Sequence, residues 1–155
     1  GVGGHCIAVD PWFLVDADPE QAKLIKTARE VNDSKPHRVI AKVKQALTGI
    51  DNPTIACLGL AFKANVDDLR ESPAMDICLA LANIEGGNIA AVEPHITELP
   101  EQLREFSNVT LAVTETAIRT ADVIVLLVDH QRFRDIPTLF DLSNVKVIDT
   151  RGQWE

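Results

Sequence analysis

Thr54-Ile55-Ala56-Cys57-Leu58-Gly59-Leu60-Ala61 opens the stretch that decides the fold; Ser72-Pro73-Ala74 and then Ile89-Ala90-Ala91-Val92 follow it. The first and last runs are short and apolar without polar alternation, as expected of strands covered on both faces. Between them Ser72 is placed to cap a helix with Pro73 at its first position. Ala74, Ile77, Cys78, Leu81 and Ala82 then fall at i, i+3, i+4, i+7 and i+8, and Gly86-Gly87 is the expected stop. Further strand-sized runs lie at 109–113, 123–128 and 145–148. Strands alternating with helices predict an α/β fold, a doubly wound parallel sheet with right-handed crossovers, over residues 51–155. Ligands of such sheets sit beyond the carboxyl ends of the strands, which directs attention to the segments after Ala61, Val92, Val128 and Ile148.

Residues 1–50 read differently, as a loop followed by a helical pair. Asp18-Pro19-Glu20-Gln21 has the form of a helix start, with Asp18 able to cap the amide three residues on. Leu24, Ile25, Ala28 and Val31 mark one face. A second helix opens at Pro36, with Val39, Ile40, Val43 and Leu47 at helical spacing until Thr48-Gly49. Two such helices cannot bury both apolar faces alone, so they pack on the rest of the chain, on preceding residues or on a second subunit.

Composition sets the outer bounds. The 155 residues are 46% hydrophobic and 25% charged, enough for a real core and unlike a disordered or collagen-like chain. A net charge of −8 without a basic stripe argues against nucleic acid as a partner. No apolar run approaches the roughly 20 residues of a membrane span, so no membrane partner is expected. Cys6, Cys57 and Cys78 form no CxxC pair, and His37, His95 and His130 have no metal-ligand spacing. Neither zinc, another metal nor a disulfide framework is assigned, and a reducing cytoplasm fits best. The chain starts at Gly1 inside a glycine cluster, with no initiator Met or signal pattern, and reads as a fragment.

Three segments could carry chemistry. In Gly1-Val2-Gly3-Gly4-His5-Cys6, glycines let the backbone approach a ligand, and the thiol that follows stands in a nucleophile's position, with Asp10 four residues on as a nearby carboxylate. The bland alternative is a turn, a buried Cys and a solvated Asp. Gly59-Leu60-Ala61-Phe62-Lys63, continuing through Asp67-Asp68-Leu69-Arg70-Glu71-Ser72-Pro73, passes two cations into a helix N-terminus and would suit a phosphate; alternatively Lys63 and Arg70 only pair with their acidic neighbours. Asp149-Thr150-Arg151-Gly152 places Arg151 after the last strand, on the ligand edge, where a lone Arg is otherwise a surface residue. Cys57 and Cys78 read as core.

Taken in order, the glycine loop with Cys6 and Asp10, the Phe62-Lys63 pair, the run Asp67-Asp68-Leu69-Arg70-Glu71-Ser72-Pro73-Ala74 and the terminal Asp149-Thr150-Arg151-Gly152 resemble the UDP-glucose/GDP-mannose dehydrogenase family along the whole chain. The resemblance implies a Rossmann-like UDP-binding domain at 51–155, preceded at 1–50 by the catalytic-Cys loop and the central dimerisation region. It also implies a cytoplasmic homodimer and a role in surface-polysaccharide precursor synthesis. The activity implied is oxidation of a sugar C6 alcohol to a carboxylate while two NAD are reduced. Cys6 matches the nucleophile that captures the aldehyde as a thiohemiacetal and later a thioester, and Asp10 a carboxylate that helps activate water. Gly1, Gly3, Gly4, Phe62, Lys63 and Arg151 match substrate contacts, and Arg70 a contact to NAD. The form Gly-Gly-His-Cys-Ile-Ala-Val-Asp-Pro-Trp-Phe resembles members acting on UDP-N-acetylmannosamine, with UDP-N-acetylglucosamine as the rival substrate.

Two features depart from the family. No Gly-x-Gly-x-x-Gly follows an opening strand, so an N-terminal NAD-binding domain is expected as a missing partner. The family's upstream Lys and Asn are also absent. Alone, the chain is therefore expected to be inactive; the alternative of another class is a non-catalytic UDP-binding or dimerisation module.

Overall fold

The computed structural model describes residues 1–154; Glu155, the last residue of the 51–155 unit, lies outside them. Five strands, β1 (Thr54–Leu58), β2 (Asn88–Val92), β3 (Val109–Leu111), β4 (Val123–Leu126) and β5 (Lys146–Asp149), form one sheet in the order β3-β2-β1-β4-β5. Every pairing is parallel, with Ala56 opposite Ala90 on one side and Ile124 on the other. The doubly wound α/β architecture expected from the sequence is the one observed.

The pleat sorts the apolar runs onto two faces. Ile55, Cys57, Ile89, Ala91, Val123 and Val125 pack on one side with α4 (Pro73–Ala82) and α3 (Lys35–Ala46). Ala56, Leu58, Ala90, Val92, Ile124 and Leu126 pack on the other with α6 (Thr114–Thr120), Phe133 and Ile136. Each fully buried Ile, Leu or Phe contributes about 1.5–3 kcal/mol by leaving water, so the central strands supply most of the driving force. Ser72 caps α4 by accepting from the Met75 amide at 3.4 Å, and its hydroxyl donates to Leu60 O at 2.7 Å. That second bond ties the helix start to the exit of β1.

Several expectations need correction. The segment read as a loop contains α1 (Asp10–Ala17), none of whose residues is buried; without a buried face it carries no apolar period. Asp18 accepts from the Gln21 amide at 3.1 Å as anticipated, but a turn precedes α2 (Lys23–Asp33). The pair of helices has divided fates: Val43 of α3 and Leu47 just after it are in the sheet's core, whereas Leu24 and Val31 of α2 are exposed. α4 ends at Ala82, before the two glycines, and β1 ends at Leu58, because Gly59 turns the chain. β5, at the sheet edge, is only partly covered. Among the described residues no helix is long and apolar enough to cross a membrane.

Candidate functional site

The exit of β1 is shaped by proximity to β4. Gly59 has φ +91, and a Cβ there would overlap the Val128 side chain, so this close approach requires glycine. The following loop is tied at both ends: Leu60 and Ala61 amides donate to the Glu93 carboxylate at 2.8 and 3.1 Å, and Ser72 holds the far end. Phe62 is half-buried, with its amide donating to Asp68 O at 3.1 Å, and the exposed Lys63 places Nζ 5.4 Å from the Phe62 ring centre.

The N-terminal glycine loop is bolted to two partners. On α2, the Asn32 side chain exchanges hydrogen bonds with the Val2 backbone at 2.6 and 3.1 Å, and Arg29 Nη1 donates to Ile7 O at 3.3 Å. On the other side Gly3 lies against Glu71 and Pro73 with no room for a side chain, and the Gly4 amide donates to Glu71 O at 3.3 Å. The close approach that the glycine permits is thus to the loop before α4. Cys6 follows on a tight turn whose carbonyl accepts from Asp10 N at 2.8 Å, and Cys6 is exposed while Cys57 and Cys78 are buried. Burial and the hydrogen bond between them, the bond foremost, push the Cys57 thiol up.

These pieces converge. Gly1, Gly3, Gly4, Cys6, Phe62, Lys63 and Arg151 line one cleft of about 360 Å³. It adjoins a larger cavity of about 650 Å³ that shares Gly1, Phe62 and Arg151 and is walled by Lys35, Arg38 and Lys42 of α3. The α3 cations were not singled out in the sequence; their only signal is the i, i+3, i+7 spacing of Lys35, Arg38 and Lys42, a local trio rather than a stripe along the chain. Arg151 Nε donates to Asp129 at 2.8 Å, which positions its guanidinium after β5. Asp10 and Arg70 do not line either space. Arg70 forks onto Asp68 at 2.6 to 3.2 Å; the side-chain bond, then the backbone bond from Arg70, lowers the Asp68 carboxyl to about 2.

Spacing along the chain gave no hint of a second constellation. Glu93 and His130, 37 residues apart, are buried side by side at the ends of β2 and β4, with Nε2 3.0 Å from Oε2. His130 Nδ1 accepts the Asn65 amide at 2.9 Å, so the ring is the neutral tautomer whose Nε2–H donates to Glu93. Burial pushes the Glu93 carboxyl up, but the bonds from His130, Leu60 and Ala61 outweigh it and hold the group below its ordinary range. The ligand-capable atoms of Glu93, His95 and His130 lie within 4.8 Å of one another, a grouping the sequence reading did not anticipate. The donor set nevertheless does not fit a cation: His130 has a single lone pair, given to Asn65, and Glu93 Oε2 already takes three donors.

Comparison with known proteins gives a consistent result. Residues 56–155 match the UDP-glucose/GDP-mannose dehydrogenase family, UDP binding domain. The chain is 58% identical over 154 residues to the NDP-N-acetyl-D-galactosaminuronic acid dehydrogenase of Ralstonia solanacearum, covering 99% of this chain and 36% of that protein. It is 52% identical over 163 residues to the UDP-N-acetyl-D-mannosamine dehydrogenase of Salmonella typhimurium, covering 99% and 38%. Among solved structures, a UDP-N-acetyl-mannosamine dehydrogenase from Staphylococcus aureus superposes with TM-score 0.77 at 37% identity, covering 99% of this chain and 35% of that one. The chain spans about a third of the length of the curated relatives it matches.

Proposed function

The chain belongs to the UDP-glucose/GDP-mannose dehydrogenase family, and on that premise we propose that it is the UDP-sugar-holding and nucleophile-bearing part of an NAD-dependent UDP-sugar 6-dehydrogenase. One observation carries the reading: Cys6, the only exposed thiol among the described residues, shares a cleft with Phe62, Lys63 and Arg151 beyond the carboxyl ends of the strands, where this fold class binds ligands. Lys63 and Arg151, with the α3 cations behind them, are suited to a diphosphate, and the glycine loop sets the thiol against the sugar end.

In this reading Cys6 adds to the C6 aldehyde as a thiohemiacetal, and water later frees it from the thioester. Asp10 lines neither cavity but is tied to Cys6 one helical turn away by its backbone amide, and in this reading it is the carboxylate that helps that water react. The residues described form no cradle for NAD: no Gly-x-Gly-x-x-Gly joins a strand to a helix, and Arg70 is engaged by Asp68. The hydride steps are therefore not assigned to this chain, which alone does not turn over. Production of NADH by the 155-residue chain would overturn that.

The substrate is an N-acetylated UDP-hexosamine, with UDP-N-acetylmannosamine first, UDP-N-acetylglucosamine its rival, and the enzyme a cytoplasmic homodimer. Calorimetry with UDP tests the cleft: the parent binds, and Lys63→Ala weakens binding by about fivefold or more, one charge-assisted contact. No heat from the parent would leave a purely structural module. In the longer enzyme, unchanged activity of Cys6→Ala would remove the covalent route.

A further inference from the structure

The loop between β1 and α4 occupies residues 59–72, far longer than the usual connection of about 2–6 residues in α/β units. A loop of that length holds a side chain in place only if it is anchored along its course. Two anchors bracket Phe62, Lys63 and Ala64. Upstream, the Leu60 and Ala61 amides end on Glu93 Oε2; downstream, the Asn65 amide ends on His130 Nδ1. The anchors are themselves joined through the 3.0 Å bond between His130 Nε2 and Glu93. Asn65 is fastened twice, because its side-chain oxygen also accepts the Gln131 amide at 3.0 Å. It sits at φ +60, a conformation that Asn adopts more readily than other non-glycine residues.

We propose that Glu93 and His130, both buried, together with the exposed Asn65 form a positioning relay that pins the Phe62-Lys63 segment beyond the ends of β2 and β4 so that Lys63 is presented to the diphosphate; this deepens, and rests on, the nucleotide-sugar reading of the cleft. Three observations carry it. The relay's Glu93 and His130 side chains are fully enclosed, so neither meets ligand. The Leu60, Ala61 and Asn65 backbone amides and His130 Nε2 each meet one acceptor, in the tautomer that the Asn65 amide imposes. Asp129, immediately before His130, is the residue that holds Arg151, so the same strand end sets both cleft cations. These are positioning residues, acting through Lys63 and Arg151.

The test uses the 155-residue chain and two variants. Asn65→Gly keeps the backbone conformation and deletes the bond to Gln131; His130→Gln can retain an amide donor for Glu93 but removes the ring Nδ1 that accepts from the Asn65 amide and the rigid ring that joins the two anchors. Amide exchange by NMR reads the loop without ligand. Exchange at Phe62 and residue 65 is expected to quicken about tenfold relative to Ile55–Leu58, the loss of one hydrogen bond. UDP calorimetry reads the consequence: each variant binds about fivefold more weakly, and in the Lys63→Ala background the same change has little further effect, since the relay works through that lysine. Unchanged exchange overturns the relay. Quickened exchange with UDP affinity within twofold of the parent, or a full additive loss in the Lys63→Ala background, overturns its positioning role. A parent that binds no UDP overturns the nucleotide reading itself and the role built on it, while the exchange arm still reports whether the loop is pinned.

Discussion

Replacing Gly3 by Ala tests the seating of the Cys6 loop most directly. An added Cβ would stand 2.6 Å from Pro73 Cδ and closer still to the Glu71 carbonyl oxygen, where ordinary contact needs about 3.5 Å. Neither obstacle can swing away. Glu71 O is backbone, and Pro73 is the first residue of α4 behind its Ser72 cap. The loop must therefore rise by about 1 Å, which stretches the Gly4–Glu71 bond, the pair between Val2 and Asn32 and the one from Arg29 to Ile7. Overpacking of this kind costs about 1–3 kcal/mol. At about 2–4 °C per kcal/mol for a chain of this size, thermal unfolding followed by circular dichroism should shift down by about 2–12 °C. Alkylation of the folded chain reports Cys6 alone, since Cys57 and Cys78 are buried, and its rate should change with the loop. On the proposed reading, displacing the Cys6 thiol by this much lowers turnover of the longer enzyme on the order of a hundredfold. A melting point within about 1 °C of the parent, together with an unaltered alkylation rate, would refute the packing argument.

Glu93→Gln leaves one acceptor oxygen for four donors, the Leu60, Ala61 and His95 amides and His130 Nε2, at a cost of about 2–4 kcal/mol at neutral pH. Because the folded state holds the Glu93 carboxyl below its ordinary range, its contribution is complete above that range and fades as pH falls through the lowered value; the gap between parent and variant in urea unfolding should narrow as the pH is taken down through the ordinary carboxylate range and below it, and a constant gap would contradict it. Val43→Ala, on α3 but fully buried in the sheet's core, should cost about 1–3 kcal/mol in a single unfolding transition, whereas a negligible cost would make α3 a detachable appendage.

The strands were legible because central parallel strands bury both faces, and residues 55–58, 89–92 and 123–126 therefore show unbroken apolar runs. The start of α4 was legible for a local reason: Ser72-Pro73 carries its own capping chemistry. α1 was not, since Trp12, Phe13 and Leu14 lie in succession on a helix that buries nothing and so shows no period. The candidate site divides in the same way. Cys6, Phe62, Lys63 and Arg151 stand in motifs that can be read in a line. Arg29, Asn32, Glu93 and His130 act through register and helix packing, which bring together residues 22 to 37 positions apart. A polar residue directly after a buried apolar strand, as Glu93 follows Val92, is the one local sign that could have flagged the pair.

The cationic lining of the two adjoining cavities has an electrostatic consequence. Lys35, Arg38, Lys42, Lys63 and Arg151 gather on one face of a molecule whose net charge is −8. For the diphosphate of the proposed ligand such a distribution acts as a lens: the net negative charge of the whole disfavours random approach, and the local cations favour approach to the cavities. Added electrolyte blurs that lens over a Debye length of about 8 Å at physiological strength, so capture should slow with salt more steeply than release quickens.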